Sequence, residues 1–185
     1  MKNKRKGEKS FTLIELLVGM TMFTLILGAI VGILISAIKV ERDILKQQQA
    51  LDQLSFAIEY MGRALRMAKK DDDGNCLTSG YNYQNPGGIS SEIKFINHLQ
   101  EDDCQSFFLD TNTNQLNYDT GINTVDFERF PLTSPDVVVD RLEFEIVGEA
   151  GPPDNFQPKV TIFISTSFPL KIDLQTTISQ RNLDI

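Results

Sequence analysis

The chain opens on a basic decapeptide and then turns apolar without a break. In that opening stretch Lys2, Lys4, Arg5, Lys6 and Lys9 stand against Glu8 alone. The 23 residues from Leu16 to Ile38 carry no charge, and a helix needs about 20 such residues to cross a bilayer. Glu15 sits just inside the apolar run, where an ionisable group is costly and usually has a task. Past Lys39 the apolar positions take a spacing of three and four: Val40, Ile44, Leu51, Leu54, Ile58, Met61, Leu65, Ala68, interrupted at Gln47. That period is one stripe along an amphipathic helix. No proline precedes Pro86, so nothing forces a break between Phe11 and Lys70. The two patterns predict a single helix over residues 11–69, roughly 85–90 Å long at about 1.5 Å per residue. From Leu51 onward the stripe is expected to pack on the protein's own sheet, leaving Val40 and Ile44 for neighbouring chains.

Asp71-Asp72-Asp73-Gly74-Asn75 is expected to stop the helix, and a polar loop rich in Gly, Asn and Ser follows through Ser91. The period then changes. Ile93–Ile96 and Ser106–Leu109 read as short strands, the second turning through Asp110–Asn114 into Gln115–Tyr118. A further strand group runs from Val137-Val138-Val139 through Leu142–Ile146, where Leu142, Phe144 and Ile146 alternate with charge and imply one wet face. Gly151-Pro152-Pro153-Asp154 breaks the pattern, and Lys159–Ser167 and Ile172–Ser179 finish the sheet. One long helix followed by strands predicts an α+β fold with an antiparallel sheet packed on the helix. The expected organisation is a basic leader (1–10), the membrane-spanning half of the helix (11–39), its amphipathic half (40–70) and a β-rich extracytoplasmic head (71–185).

Charge and cysteines sharpen this picture. Residues 1–38 hold five of the 18 Lys/Arg and two of the 25 Asp/Glu, leaving 13 and 23 and a net charge of −10 for residues 39–185. An acidic head is a poor match for nucleic-acid phosphate, so no nucleic-acid partner is expected for this chain alone. Basic residues ahead of an apolar segment stay cytoplasmic, which puts the leader inside and the head outside. A cleaved secretory signal would have a shorter apolar region ending in a small-residue cleavage site. Cys76 and Cys104, in an extracytoplasmic head, are candidates for a disulfide closing a loop of about 29 residues, worth roughly 3–4 kcal/mol on the loop-entropy account.

Phe11-Thr12-Leu13-Ile14-Glu15 resembles the maturation motif of type IV pilins and type II secretion pseudopilins. The order of anchor, long helix and strands fits that family, as does the ending Ser179-Gln180-Arg181-Asn182. The stretch Asp52–Lys69, with Arg63 and Arg66 near the helix end, is most similar to minor pseudopilins of the J type or related minor pilins. The resemblance implies cleavage between Ser10 and Phe11 by a membrane prepilin peptidase and N-methylation of Phe11. Glu15 would then pair with the N-terminal ammonium of a neighbouring subunit during assembly. It further implies the bacterial inner membrane as the site of insertion, other pilin-like subunits as partners, and an assembly platform and ATPase supplying the work. Two positions depart from the family pattern: Ser10 stands where glycine usually precedes the cut, and Gly32 stands where many major pilins have proline. Gly28 and Gly32 form a small-xxx-small pair that permits close helix contact.

Enzyme chemistry finds no foothold. His98 is the only histidine and reads as a surface loop residue, since a general base needs partners, and no phosphate loop, metal-spaced Cys/His set or nucleophile elbow occurs. Some members of the family bind calcium in the head. Here Asp71–Asp73 lacks the ligand spacing and Asp110-x-Asn112-x-Asn114 continues with Gln115 where an EF-type loop needs Gly, so no cofactor is expected, with calcium in the head as the alternative. The reading is a structural subunit of a type II secretion pseudopilus or type IV pilus, acting in assembly initiation or at the tip. The alternatives are a minor pilin of a DNA-uptake or adhesion pilus, and a signal-anchored binding domain that never assembles.

Overall fold

A computed structural model describes residues 12–99, 103–121, 128–148 and 157–181. The chain divides into two compact units, Met1–Leu45 and Lys46–Ile185. One long helix, α1 (Leu13–Arg66), contributes its first part to the former and its second part to the latter. In the first unit every described helical side chain is exposed, and an 18-residue window has a mean hydropathy of 2.4. By length and composition this helix can cross a membrane.

In the second unit α1 acquires a buried seam: Ala50, Leu54, Ala57, Met61, Ala64 and Leu65. The spacing of three and four is the one the sequence predicts, but the seam is turned. Leu51 is 41% exposed and Ile58 only half-buried, while the alanines Ala50 and Ala57 lie inside. Small side chains at the seam let the helix backbone approach the strands, and Leu51, one residue (about 100°) round from Ala50, is carried off the contact. Gly62 serves the same approach, since a Cβ there would stand 3.4 Å from Cδ1 of Ile178.

The helix ends at Arg66, short of Lys70. Ala68–Lys69 leave it as a strand, β1, because Met67 closes the last turn onto Ala64 and the next two residues pair with Asn97 and Ile96. The following strands are β2 (Tyr83–Gln84), β3 (Glu92–Asn97), β4 (Asp103–Asp110), β5 (Gln115–Thr120) and β6 (Glu128–Pro131). They form an antiparallel sheet in the order β1-β3-β4-β5-β6, with β2 sharing the outer edge of β3. A second antiparallel sheet follows, β7 (Val138–Val147), β8 (Lys159–Phe168) and β9 (Ile172–Ser179), in sequence order. The strand pattern thus makes two sheets where one was expected. Among the described residues the outer edge of β7 is met by loops: Val139 N–H donates to Asn114 O at 2.9 Å and Phe144 N–H to Ser90 O at 2.7 Å.

Both sheets and the helix seam share one core. Phe95, Phe107 and Tyr118 line up on the inner face of the first sheet, with centroids 5.4 Å apart at each step, and Tyr60 of α1 meets Phe107 and Tyr118 edge-on. On the outer face Arg129 of β6 clamps its cross-strand partner Asp119, both contacts at 2.8 Å, and lies 4.6 Å from the ring centre of Phe108. β7 shifts register between Val138 and Arg141. The sequence carries a sign of this, for the buried apolar positions run on odd numbers at Val137 and Val139 and on even numbers at Leu142 and Phe144. A strand can change face only by inserting a residue.

The carboxyl end of α1 is closed by distant parts of the chain. Tyr83 Oη donates to Leu65 O at 2.6 Å, Arg181 N–H to Arg66 O at 2.8 Å, His98 N–H to Met67 O at 3.2 Å, and Gln180 Nε2 to Ala68 O at 2.7 Å. Helix-end carbonyls have no partner within the helix, and buried ones must find one elsewhere. Tyr83→Phe removes one of these donors without changing the packing. It is expected to cost about 1–3 kcal/mol, seen as a lower urea midpoint with an unchanged m-value for the full chain in detergent micelles.

Candidate assembly and maturation segment

The segment that carries the sequence argument begins at the described start of the chain. Ser10 and Phe11 lie outside the described residues. Thr12 precedes the first helical residue, and its carbonyl accepts the N–H groups of Glu15 (3.1 Å) and Leu16 (3.3 Å). Glu15 falls in the first turn of α1 and is exposed. Thr12-x-x-Glu15 is the pattern of a capping box, and a carboxylate at this place complements the unpaired N–H groups of the helix start. Sequence reasoning singled out Glu15 for assembly and did not read its first-turn position after Thr12. The signal was present in the threonine three residues before it. Around Gly28 and Gly32 a Cβ would meet nothing within the chain.

The other site residues lie in the head. Cys76 and Cys104 are joined by a disulfide, with Cα atoms 5.7 Å apart. It ties the loop after β1 to β4 at the position opposite Ile96. The same loop is organised by Asp71, which is buried and accepts N–H bonds from Gly74 (2.7 Å), Cys76 (2.8 Å) and Leu77 (2.7 Å). Burial alone would raise the Asp71 pKa, but the backbone N–H groups of Leu77, Cys76, Gly74 and Asn75 together hold it below the ordinary aspartate value. The acidic run Asp71–Asp73 is therefore divided in its duties, with Asp71 folded into its own loop and Asp72 3.6 Å from Lys70.

Asp110 likewise serves a turn, its carboxylate accepting the Asn112 N–H at 2.8 Å, while Asn114 takes a left-handed conformation (φ 53°) to close the β4–β5 hairpin. Among the described residues no three His, Cys, Asp or Glu side chains converge as a metal site would require. His98 is exposed in the turn after β3, its main chain spent on the helix end. In the terminal segment Ser179–Asn182, Gln180 is buried and reaches Ala68, and Arg181 reaches Arg66; Asn182 lies outside the described residues, as does the Gly151–Asp154 break.

A family model described as the prokaryotic N-terminal methylation motif matches residues 5–31. The chain therefore carries the type IV pilin-like prepilin signature, on the segment that includes Thr12 and Glu15. The match ends inside α1, so the head stands outside it. No curated protein and no solved structure matches the chain. Proteins with this signature are structural and not enzymatic, are processed by prepilin peptidase and assemble with other pilin-like subunits; the motif and the apolar helix together are those of a membrane-anchored protein.

The Asp71 carboxylate gives the head a specific acid response. A carboxyl group whose folded pKa lies below its unfolded value of about 3.9 contributes stability above that pH and loses it as pH falls through the folded pKa. Asp71→Asn is expected to lower stability by about 1–3 kcal/mol at neutral pH. It should also flatten the acid limb of the wild-type stability curve below about pH 4, as measured by urea titrations across pH with the disulfide intact.

Proposed function

We propose that this chain is a minor pilin-like subunit of a type II secretion pseudopilus or type IV pilus, acting when assembly starts or at the tip of the fibre. The observation that carries the reading is the coincidence of the methylation motif on residues 5–31 with an apolar stretch of α1, residues 13–38, whose side chains are all exposed within the chain. Such a surface needs another apolar environment. A bilayer supplies one before assembly, and the helices of neighbouring subunits supply one after it.

In this reading residues 1–10 stay in the cytoplasm, 11–39 cross the inner membrane, 40–70 lead out of it and 71–185 form the extracytoplasmic head. Prepilin peptidase cuts between Ser10 and Phe11, and the new Phe11 amine is methylated. Glu15 then answers the N-terminal ammonium of an adjacent subunit. Bringing two charges out of water costs several kcal/mol each, and a mispositioned subunit leaves both unpaired. Pairing thus makes correct register a condition of entry into the fibre. Extraction of an apolar helix from lipid is uphill, so an assembly platform and ATPase supply the work. The serine at position 10, in place of glycine, bears directly on the cut.

The decisive measurement is the intact mass of the protein purified from membranes that contain a prepilin peptidase. A chain beginning at Phe11, with or without one added methyl, is the expected product. Retention of Met1–Ser10 would overturn the processed-subunit reading in favour of a static signal-anchored binding domain. Glu15→Gln should be cut as the wild type is, yet be absent from sheared fibre fractions.

A further inference from the structure

The turn between β8 and β9 carries Phe168, Pro169 and Leu170, with Phe168 53% and Leu170 41% exposed. The turn is held from within. Thr166 is buried and its hydroxyl donates to Leu170 O at 3.0 Å, and Ser167 Oγ donates to Asp140 Oδ1 at 2.9 Å. Its place in the head follows from the pairing. Val138 of β7 pairs with Phe168, and Ser134, shortly before β7, donates its N–H to Gln53 Oε1 of α1 at 2.9 Å. At the other end of the same sheet Arg181, just after β9, donates its N–H to Arg66 O at 2.8 Å. The turn therefore lies at the Gln53 end of the helix seam. The strand ends that flank stretches outside the described residues lie at the Arg66 end: Asn97 pairs with Ala68 and Asp103, Gly121 N–H donates to Asp103, and Lys159 pairs with Ser179. Of the described turns at the Gln53 end, Asp110–Asn114 is polar and Leu132–Val137 keeps Val137 buried, so the β8–β9 turn is the one that presents large apolar side chains.

We infer that this turn is a second lipid contact of the chain: Phe168 and Leu170 enter the headgroup and upper acyl region of the bilayer that holds α1, with Lys171 at the phosphates. The inference rests on the reading of α1 as a membrane anchor, and not on processing or assembly. From Gln53 the helix runs back through residues 39–52 to the uncharged stretch Leu16–Ile38, roughly 21 Å of helix at about 1.5 Å per residue. A tether that short keeps the head beside the lipid surface at high effective concentration. The shape of the turn selects lipid over a protein partner. A stable protein interface takes about 800 Å² from each side with close packing, and a narrow turn with two large apolar side chains offers far less. A fluid bilayer needs no matching surface and accepts apolar and aromatic groups at the acyl boundary. Charge agrees with this. Ser167–Lys171 carries one charged side chain, the Lys171 ammonium, which is exposed and suits phosphate headgroups. The neighbouring carboxylates, Asp140 and Asp173, accept from Ser167 and Ser165.

The chain has no tryptophan, so a single Phe168→Trp substitution places one fluorescent reporter at the turn. The full chain is set in nanodiscs of phosphatidylcholine and phosphatidylglycerol, with and without acyl chains brominated near the headgroup. Phe23→Trp, in the apolar run, reports on the anchor. Val147→Trp, 44% exposed at the opposite end of β7, reports on the rest of the head. The expected result is a loss of emission in brominated discs for Phe168→Trp and Phe23→Trp and none for Val147→Trp. Adding Leu170→Ser to Phe168→Trp should reduce the loss while the urea transition of the head stays where it was. Loss at Phe23→Trp without loss at Phe168→Trp overturns the lipid contact and leaves the anchor standing. No loss at either position overturns the anchored reading and this inference with it. Equal loss at Val147→Trp overturns a contact specific to the turn. A blue-shifted Phe168→Trp emission that brominated lipid does not quench also overturns the inference, in favour of a protein covering the turn.

Discussion

The closure of the carboxyl end of α1 is the interaction on which the head depends. A helix that stops inside a protein leaves carbonyl groups with nothing to accept. Here the partners of Leu65, Arg66, Met67 and Ala68 come from β2, the end of β9 and the turn after β3. Each of these bonds fixes a different part of the chain against the same few residues. Tyr83 brings the first sheet's edge to the helix, His98 holds the end of β3, and Gln180 with Arg181 brings in the last strand of the second sheet. Among the described residues the two sheets do not pair with one another by a strand ladder. What they share is the helix seam and its end.

The polar groups buried around this junction follow the same logic. Asp71 lies two residues beyond β1 and gathers the N–H groups of the loop that carries Cys76. The disulfide then joins that loop to β4. A charged carboxylate among backbone N–H groups and a covalent bridge thereby hold a glycine- and asparagine-rich stretch with little apolar surface of its own. Neither device alone explains the order of the loop. The disulfide fixes one point, and the carboxylate sets the path on either side of it.

α1 has two kinds of surface because two environments receive it. From Leu16 to Ile38 its side chains are uncharged, mostly apolar and exposed, which suits lipid or other helices. From Ala50 onward the contact face is built on alanine, glycine and a few large residues, which suits close approach to a twisted sheet. Phe56 and Tyr60 flank that face, and Tyr60 joins the aromatic row of the first sheet.

What the sequence determined by itself is everything with a short repeat. The apolar run, the three-and-four spacing of Leu54, Met61 and Leu65, the alternation of Leu142, Phe144 and Ile146, and the turn at Asp110–Asn114 are all visible within a window of a few residues, since backbone geometry sets those periods. The maturation motif is equally local, and so it was legible from Phe11 to Glu15. The tertiary structure decided where the helix ends, which way its seam faces, that the strands form two sheets, and what Asp71 and Gln180 do. Ala68 and Lys69 have the composition of a helix, yet they become a strand because Asn97 and Ile96 offer them a ladder. Gln180 is a surface residue by type, but it is buried against Ala68 across 112 residues of sequence. These outcomes depend on which distant groups arrive to satisfy a buried carbonyl or fill a seam, and no local pattern records that arrival.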